Sequence, residues 1–353
     1  MRSFKITAFG EALADTQSET PTPTGTQVLL KIAACGACHS DVHIRDGFFD
    51  LGSEGRMDLS RGVPLPMTPG HEIAGEVVAL GDAAAEMLSV GDARVVYPWI
   101  GCGICETCVS GDEQLCRKPR NLGVNVDGGY SDHVMVPHPR YLVPFDPMPI
   151  AEACTYACSG LTAFGALKKL GTLGAGEPLV IIGAGGVGLA AVRLAESVTG
   201  VAGIAADISS DSREAAMMAG ARDVLDPGAP DAVRTFVKGT GGAAGVVDFV
   251  GSAESARFGF DILGKGGSLV IVGLFGGSLV LPVPHFPLRE VTVRGSYVGS
   301  LPEFHELMDL ARSGRFGPVA VETRSLDQAD ATLYDLKDGR VSGRIILVPS
   351  RPR

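Results

Sequence analysis

The segment GCGICETCVSGDEQLC places four cysteines within residues 101–116, in the spacing C-x₂-C-x₂-C-x₇-C. Cysteine thiolates bind Zn²⁺ tetrahedrally, and C-x₂-C steps allow successive sulfurs to face the same ion. Four thiolates leave no coordination position for a substrate, so the spacing predicts a structural zinc held by Cys102, Cys105, Cys108 and Cys116. Two alternatives use the same residues: an iron–sulfur cluster, for which nothing else in the chain argues, and unliganded surface thiols.

Three further candidate ligands are dispersed along the chain. Cys38 lies in AACGACHSDVH, His71 in TPGHEIAGEV and Cys158 in ACTYACSGLTAF. Two thiolates and one imidazole leave one position on zinc for water or substrate, which is the arrangement of a catalytic site. Spacing alone does not establish such a site, because a single buried cysteine more often serves packing. It also does not choose between Cys38 and Cys35, or between Cys158 and Cys154.

A glycine fingerprint, G-x-G-x-x-G, follows the apolar run LVII and opens an apolar helix. This context indicates a dinucleotide site, in which the pyrophosphate meets free backbone N–H groups at a helix N-terminus. One glycine allows a tight turn, the second a close approach of the cofactor, and the third close packing of helix and strand. The predicted contacts are Gly183, Gly185, Gly186, Val187 and Gly188.

An acidic residue, Asp207, ends the next predicted strand, VAGIAAD. A carboxylate there accepts hydrogen bonds from a ribose 2′-hydroxyl and repels a 2′-phosphate. The three residues after it supply no cation, and Arg213 is expected on the following helix. The sequence therefore favours NAD over NADP. The alternative is a glycine-rich structural turn followed by an aspartate that caps a helix.

Two regions with different patterns of predicted strands and helices carry these residues. The first 150 residues alternate short apolar runs with Gly and Pro, including QVLLKIAACG, HEIAGEVVALG and DARVVYPWI, which predicts short strands in a partly closed sheet. From about Ala151 strands alternate with helices, which predicts a parallel, doubly wound sheet. The tail from about Tyr297 returns to mixed helix and strand. The fold class is therefore α/β, with domains at 1–152 plus 297–353 and at 153–296.

Composition limits the classes of function. The 353-residue chain carries a formal net charge of −10, which argues against a nucleic-acid partner or an anionic membrane. The uncharged run Gly266–Leu288 contains paired glycines and prolines, so we predict strand–turn–strand there and no membrane span. The N-terminus lacks the apolar core of a signal peptide. We therefore expect a cytoplasmic protein with reduced thiols.

Taken in order, CGACHSDVH, GHEIAGEV, the four-cysteine loop and GAGGVG resemble the zinc-dependent medium-chain alcohol dehydrogenases. The resemblance spans nearly the whole chain and implies a GroES-like catalytic domain beside a Rossmann NAD-binding domain. The family frame selects Cys38 and Cys158, which leaves Cys35 and Cys154 as ordinary buried thiols. The resemblance implies that the catalytic zinc is bound by Cys38, His71 and Cys158, with Glu72 as an occasional ligand and Asp41 as a supporting carboxylate. It implies that a proton is relayed by Ser40 and His43. It also places Arg344 and His39 near the cofactor pyrophosphate.

A narrower resemblance concerns the substrate. DGFFDLGSEG, PWIGCGICETC and GGYSDHVMVPHPRYL are similar to bacterial enzymes grouped with 6-hydroxyhexanoate dehydrogenase. It implies reversible oxidation of a primary, medium-length or ω-hydroxy alcohol to the aldehyde. Zinc would act as a Lewis acid, a hydride would pass to NAD, and the proton would leave by way of Ser40, the nicotinamide ribose and His43. The family also implies a homodimer or homotetramer.

Four aromatic residues and one long polar segment are candidates to shape the substrate pocket. The aromatic residues are Tyr97, Trp99, Phe48 and Phe49, any of which would serve equally well in the core. Residues 50–62 would either cover the pocket, with a cation for a substrate carboxylate, or form a plain surface loop. Rival functions are a dehydrogenase of aromatic, secondary or polyol alcohols, a zinc-free alkene reductase, and a zinc-stabilised, non-catalytic nucleotide-binding protein.

Overall fold

The β-rich region and the region of alternating strands and helices contain two separate large sheets in a computed structural model, which describes residues 1–316, 320–341 and 343–349. One compact unit comprises residues 1–48, 58–158 and the described residues from Ser300 onward. The other comprises residues 49–57 and 159–299. The segment that carries Cys158 therefore groups with the first unit, and a short piece of the N-terminal region groups with the second.

The secondary structure elements are numbered in chain order. The strands are β1 Arg2–Lys5, β2 Ala14–Gln17, β3 Val28–Gly36, β4 Phe48–Asp50, β5 Arg56–Asp58, β6 Glu72–Leu80, β7 Ala93–Val96, β8 His133–Val136, β9 Leu142–Val143, β10 Leu179–Ile182, β11 Ile204–Ala206, β12 Asp223–Leu225, β13 Ala243–Asp248, β14 Leu263–Ile271, β15 Thr292–Gly295, β16 Val321–Ser325 and β17 Arg344–Val348. The α-helices are α1 His39–Asp46, α2 Glu106–Val109, α3 Ile150–Ala153, α4 Ser159–Lys168, α5 Gly186–Thr199, α6 Ser210–Met218, α7 Ala232–Thr240, α8 Ala253–Asp261, α9 His285–Arg289, α10 Leu301–Arg312 and α11 Ala329–Lys337.

The sheet of the first unit has the strand order β16-β17-β3-β6-β7-β9, and β8 also pairs with β3. Its central pair, β3 and β6, is antiparallel, with Gly36 opposite Glu72. Since β3 ends at Gly36 and β6 begins at Glu72, the residues just beyond these ends lie at the same edge of the sheet. This register brings Cys38 and His71 together across a gap of more than thirty residues in sequence.

The second unit contains a parallel six-stranded sheet in the order β12-β11-β10-β13-β14-β15. Strand β10 is buried on both faces, as expected for LVII at the centre of a parallel sheet. The chain continues from β10 to β11 on one side and returns to β13 on the other. The reversal of strand order beside β10 is the place where open α/β sheets bind ligands.

One detail differs from the sequence-based predictions. Gly266–Leu288 does not form two strands: β14 ends at Ile271, no regular element follows until α9 begins at His285, and the second predicted strand is therefore wrong. Pro282 and Pro284 cannot donate to a ladder, and Val280 and Val283 are exposed. Residues 49–57 contact this irregular segment, with Ser278 Oγ donating to Leu51 O at 2.9 Å.

Helix length and hydropathy bear on the membrane question. Among the helices formed by residues 1–316, 320–341 and 343–349, none combines the length and the apolar character needed to cross a bilayer.

Candidate metal centres and dinucleotide site

Cys38, His71 and Cys158 come together in the first unit. Cys38 caps the N-terminus of α1, and His71 directly precedes β6. Cys158 directly follows a 3₁₀ turn, Cys154–Ala157. All three side chains are buried, and one ligand atom from each lies within 4.8 Å of the others. Three residues from distant parts of the sequence therefore form one potential metal centre.

Asp41 orients the histidine of this group. Its fully buried carboxylate accepts hydrogen bonds from His71 Nδ1 at 3.1 Å and from the Cys38 backbone N–H at 3.0 Å. With Nδ1 engaged, Nε2 is the nitrogen left for a metal, and it has no hydrogen-bond partner within the described part of the chain. Such a carboxylate–histidine contact fixes the ring and its tautomer at metal sites.

Tyr130 supports the same carboxylate and was not recognised from the sequence. Its hydroxyl donates to Asp41 Oδ2 at 3.2 Å, and burial raises the pKa of the phenol well above its usual range. The residue lies in GGYSDH, where neither the spacing nor the periodicity distinguishes it from a core tyrosine. Only the fold reveals its contact.

The donor set fits a zinc ion. Two cysteine sulfurs and one imidazole nitrogen are the ligands of many catalytic zinc sites, and they leave one coordination position open. A hydrogen bond from the Cys158 thiol lowers the pKa of Cys38 well below its usual range, although burial opposes ionisation. The same hydrogen bond raises the pKa of Cys158, so the pair favours one thiolate, at Cys38, and the thiolate is the form that binds metal.

Glu72 and Arg344 form a buried ion pair next to this group. Burial raises the pKa of Glu72, and the guanidinium of Arg344 opposes that rise. The described contacts place Arg344 with the metal-binding unit, since it begins β17 and its side chain is 6% exposed. Its predicted contact with a pyrophosphate remains a prediction, as does the role of Glu72 as an occasional ligand.

Cys35 and Cys154 are outside the ligand group. Both are buried and unoxidised, and burial raises the pKa of each thiol. The Cys154 thiol donates to the Ala151 carbonyl at 3.3 Å. Their placement agrees with a packing role.

The aromatic candidates divide into different environments. Trp99 Nε1 donates to the Ala157 carbonyl at 3.0 Å, and its ring lies 5.2 Å from that of His71. It therefore buttresses two of the three ligand segments. Tyr97 is fully buried and packs against Tyr141 and Phe304, which makes it a core residue. Phe48 and Phe49 are half-buried, and their predicted place in a pocket remains a prediction.

Helix α1 carries the three remaining candidates beside the metal group. His39 is exposed, whereas Ser40 and His43 are half-buried, and the rings of His39 and His43 lie 5.6 Å apart. Residues three and four apart share a helix face, so Ser40 and His43 can interact along α1. Burial, together with the nearby His39, lowers the pKa of His43. A neutral imidazole at this position can accept a proton.

The four remaining cysteines form a second group. One sulfur each from Cys102, Cys105, Cys108 and Cys116 lies within 4.8 Å of the others. The sulfur atoms of Cys105 and Cys108 lie 3.4 Å apart, and those of Cys105 and Cys116 lie 3.9 Å apart. Four sulfurs at Zn–S distances of 2.3 Å in a tetrahedron would be roughly 3.8 Å apart. The loop therefore already has nearly the dimensions of a four-thiolate zinc site.

The glycine turn lies between β10 and α5 in the second unit. Gly183 adopts a left-handed conformation with φ of 87°, and a side-chain carbon at Gly188 would lie 1.7 Å from the Gly183 carbonyl oxygen. Gly185 caps α5, and a carbon added there would have no neighbour within 4 Å. Gly186 and Val187 form the first turn of α5. Open space at the start of a fourteen-residue helix suits the pyrophosphate of a dinucleotide.

Asp207 lies at the end of β11 and reaches back to this turn. Its carboxylate accepts hydrogen bonds from Ala184 N at 2.8 Å and from Ser209 N at 2.9 Å. Arg213, on α6 as expected, donates to the Asp207 carbonyl at 2.7 Å and lies 3.5 Å from the carboxylate of Asp226. A cation is therefore closer to Asp207 than the sequence suggested, but an acidic neighbour already balances it.

Comparisons with known proteins agree with this geometry. Residues 24–147 match the family described as the alcohol dehydrogenase GroES-like domain, and residues 186–313 match the zinc-binding dehydrogenase family. The sequence is 39% identical to a NAD-dependent alcohol dehydrogenase of Sulfurisphaera tokodaii, over 99% of this chain and 100% of the relative.

Solved structures give the same result. The alcohol dehydrogenase of Aeropyrum pernix matches with a TM-score of 0.89 and 31% identity, over 99% of this chain and 100% of that chain. An acetophenone reductase of Geotrichum candidum, solved with NAD, matches with a TM-score of 0.86 and 28% identity, over 98% and 96% of the two chains.

Proposed function

We propose a specific reaction for this chain, which belongs to the zinc-dependent medium-chain alcohol dehydrogenase family. It is a NAD-dependent alcohol dehydrogenase with zinc as its metal. Of the rivals considered from the sequence, a non-catalytic nucleotide-binding protein is therefore set aside. What we propose beyond the family is the substrate: a primary alcohol of medium length or an ω-hydroxy acid, oxidised reversibly to the aldehyde.

The observation that carries the chemistry is the buried group of Cys38, His71 and Cys158, held within 4.8 Å. Zinc bound there supplies Lewis acidity, which lowers the pKa of a substrate hydroxyl towards neutrality. NAD supplies the acceptor for the hydride. A zinc-free alkene reductase would have no use for the three ligands or for the Asp41 contact that orients His71.

Two residues of the chain would carry the proton of the substrate hydroxyl away. Ser40 stands two positions after the ligand Cys38 and, half-buried, can pass a proton along a hydrogen bond without holding charge. His43 is the proposed proton exit, because burial and His39 lower the pKa of its imidazole and leave it neutral enough to accept. We propose that these two residues form the relay, and that the hydrogen bonds of Asp41 hold the start of α1 and the His71 ring in position.

Support for a medium-length or ω-hydroxy substrate comes from the narrower resemblance in DGFFDLGSEG and neighbouring segments. Residues 50–62 also carry two exposed cations, Arg56 and Arg61, either of which would suit a substrate carboxylate. The second candidate is a secondary, aromatic alcohol. The similarity to an acetophenone reductase favours it, because that protein is named for an aromatic ketone.

A substrate panel separates these candidates. Initial rates of NADH formation are measured for 6-hydroxyhexanoate, 1-hexanol, 1-phenylethanol, benzyl alcohol and sorbitol, with NAD and NADP side by side. The proposal expects the highest kcat/KM for 6-hydroxyhexanoate or 1-hexanol with NAD. A preference of tenfold or more for 1-phenylethanol would replace it with the secondary alcohol. Activity with none of them, in protein containing two zinc ions per chain, would overturn both.

A further inference from the structure

The four-cysteine loop contains a buried carboxylate that is not one of its predicted metal ligands. Glu113 lies in the spacer between Cys108 and Cys116, on a 3₁₀ turn, Glu113–Leu115. Its side chain is only 4% exposed. Burying a carboxylate is costly unless hydrogen bonds or an opposite charge compensate, so its surroundings require an explanation.

Three donors from outside the spacer converge on this carboxylate. Oε2 accepts hydrogen bonds from the Gly101 backbone N–H at 3.1 Å and from the Tyr141 hydroxyl at 2.7 Å. Oε1 lies 2.8 Å from Arg140 Nη2. Charge-assisted hydrogen bonds of this kind are about twice as strong as neutral ones. The carboxylate is therefore fully engaged.

Both ends of the loop meet at this one residue. The side chain of Glu113 holds Gly101, which directly precedes Cys102. Its backbone carbonyl accepts a hydrogen bond from the Cys116 N–H at 3.0 Å. A carbon added at Gly101 would lie 2.4 Å from Cys108 Sγ and 3.1 Å from the Glu113 carbonyl oxygen, so the chain ends approach closely.

The supporting residues tie this junction to the core sheet. Tyr141 ends the turn Pro139–Tyr141 and directly precedes β9, which pairs with β7. Its ring stacks on that of Tyr97, and the Arg140 guanidinium lies 4.6 Å from the ring centre of Tyr141. Burial, and next the contact with Glu113, raise the pKa of Tyr141 to about 12, so its hydroxyl remains a donor at neutral pH.

We propose that Glu113 is a positioning residue that holds the two ends of the loop together, with Arg140 and Tyr141 as its anchors, so that the four thiols are arranged for the metal. The proposal rests on the loop holding zinc. Because four thiolates repel one another, bringing them together around an ion costs free energy. This cost is smaller when contacts from outside already hold the loop in place. Partners of this kind commonly change metal affinity by about 10- to 100-fold.

The test is the rate of zinc release. Zinc transfer from the purified holoprotein to an excess of the chromogenic chelator 4-(2-pyridylazo)resorcinol is followed for wild type, E113Q, R140M and the double variant. E106Q is the matched control, because Glu106 is an exposed glutamate within the same loop. Zinc per chain is counted by atomic emission before and after release.

We expect E113Q to release one of its two zinc ions about 10- to 100-fold faster than wild type, with the other unchanged. R140M should release the same ion faster, and the double variant should fall short of the product of the single effects, because both changes remove one shared contact. E106Q should match wild type.

Three results would overturn the proposal. One is release of both ions at the wild-type rate in E113Q, even with a lower melting temperature. Another is equal acceleration of both ions, which would indicate general loosening of the fold. The third is a single zinc in wild type with alcohol dehydrogenase activity intact, which would remove the metal from the loop while leaving the proposed reaction standing. If E113Q does not fold, R140M decides, since Arg140 is half-exposed.

Discussion

At the scale of single residues, the group of Cys38, His71 and Cys158 depends on a hydrogen bond that occupies His71 Nδ1 and leaves His71 Nε2 available for a metal. Asp41 engages His71 Nδ1, the Cys38 backbone N–H and the Tyr130 hydroxyl at once. The contacts with His71 and Cys38 hold two of the candidate ligand residues, and Tyr130 supports the carboxylate that makes these contacts. The residues next to the ligands therefore determine whether three donors point to the same position.

The role of Ser40 can be tested by removing its hydroxyl. Ser40→Ala should lower kcat by roughly 100- to 10,000-fold, because general acid–base transfer contributes that much to many enzymes. The zinc content should not change, since Ser40 is not a ligand. Steady-state rates and atomic emission on the same sample provide the check. Ser89→Ala, an exposed loop serine, is the control. Unchanged turnover in Ser40→Ala would remove the residue from the relay.

We propose that the charge of Asp207 sets the preference of the protein for NAD over NADP. Asp207→Asn keeps an acceptor for Ala184 N but removes the repulsion of a 2′-phosphate, while Arg213 stays close. We expect the kcat/KM ratio of NADP to NAD to rise by about tenfold or more, which corresponds to about 1.4 kcal/mol. Kinetics with both cofactors measure this ratio. Asp223→Asn, an exposed change on β12, should leave it unchanged. An unaltered ratio in Asp207→Asn would mean that another group selects the cofactor.

At the scale of elements, helix α1 is fixed to α11 by charges and a ring. Asp46 Oδ2 lies 2.6 Å from Lys337 Nζ, and Asp46 Oδ1 lies 3.1 Å from Arg45 Nη2. The buried Arg45 guanidinium also lies 4.5 Å from the ring centre of Tyr334. The helix that carries Ser40 and His43 is thus held at its C-terminal end by a helix close to the end of the chain.

The pH dependence of this contact follows from the pKa of Asp46. Burial acts to raise it, but Lys337 and Arg45 outweigh burial and lower the pKa below its ordinary value. A carboxyl with a depressed pKa stabilises the fold above its unfolded pKa and loses that contribution as the pH falls through its folded pKa. Asp46→Asn should therefore cost about 1–2 kcal/mol at pH 7. The cost should shrink below about pH 4.

Thermal unfolding of wild type and Asp46→Asn between pH 3 and pH 7 measures this difference. The zinc content of both proteins is measured at each pH, because acid also releases zinc by protonating its ligands. The control is Asp309→Asn, whose side chain is 78% exposed and lies 3.5 Å from Arg312. A difference that stays constant over the whole range would show that the charge of Asp46 is not what stabilises α1.

The sequence predicted the elements better than their contacts. The apolar runs gave the positions of β3, β6, β10 and β11, because patterned burial is a local property. Helix α7, which lies between β12 and β13, was not individually predicted from the sequence. Tyr130 and Glu113 were missed as well, because a hydrogen bond between residues tens of positions apart leaves no local pattern in the sequence. The contact between residues 49–57 and Ser278 could not be inferred for the same reason.

At the scale of the whole molecule, one segment of the second unit exposes several large apolar side chains. They occupy the irregular segment after β14 and the helix α9, and comprise Leu274, Phe275, Val280, Val283 and Leu288. Phe275 is 68% and Val280 80% exposed. Strand β15 is the last strand of its sheet and, within the described residues, pairs with β14 alone. Exposed apolar side chains and an open sheet edge are both features that suit contact with a second copy of the chain.

We therefore expect a homo-oligomer, a dimer or a tetramer, that this segment holds together. Light scattering coupled to size-exclusion chromatography should give at least twice the mass of 36.5 kDa. Val280→Asp should shift the protein towards the monomer, because a charge placed in an apolar contact is desolvated without a partner. Val90→Asp, another exposed valine in the first unit, should not. A wild-type monomer would contradict this expectation.

The grouping of residues 49–57 with residues 159–299 has a practical consequence for chimaeras. The backbone passes from one unit to the other four times, at 48/49, 57/58, 158/159 and 299/300. A genetic cassette that transplants only residues 159–299 into a homologue would omit residues 49–57, which belong to the same unit. Ser278 would then meet the homologue's own segment in place of Leu51. Exchanging both segments together should yield hybrids that accumulate in folded form, whereas single-segment exchanges should be poorly expressed.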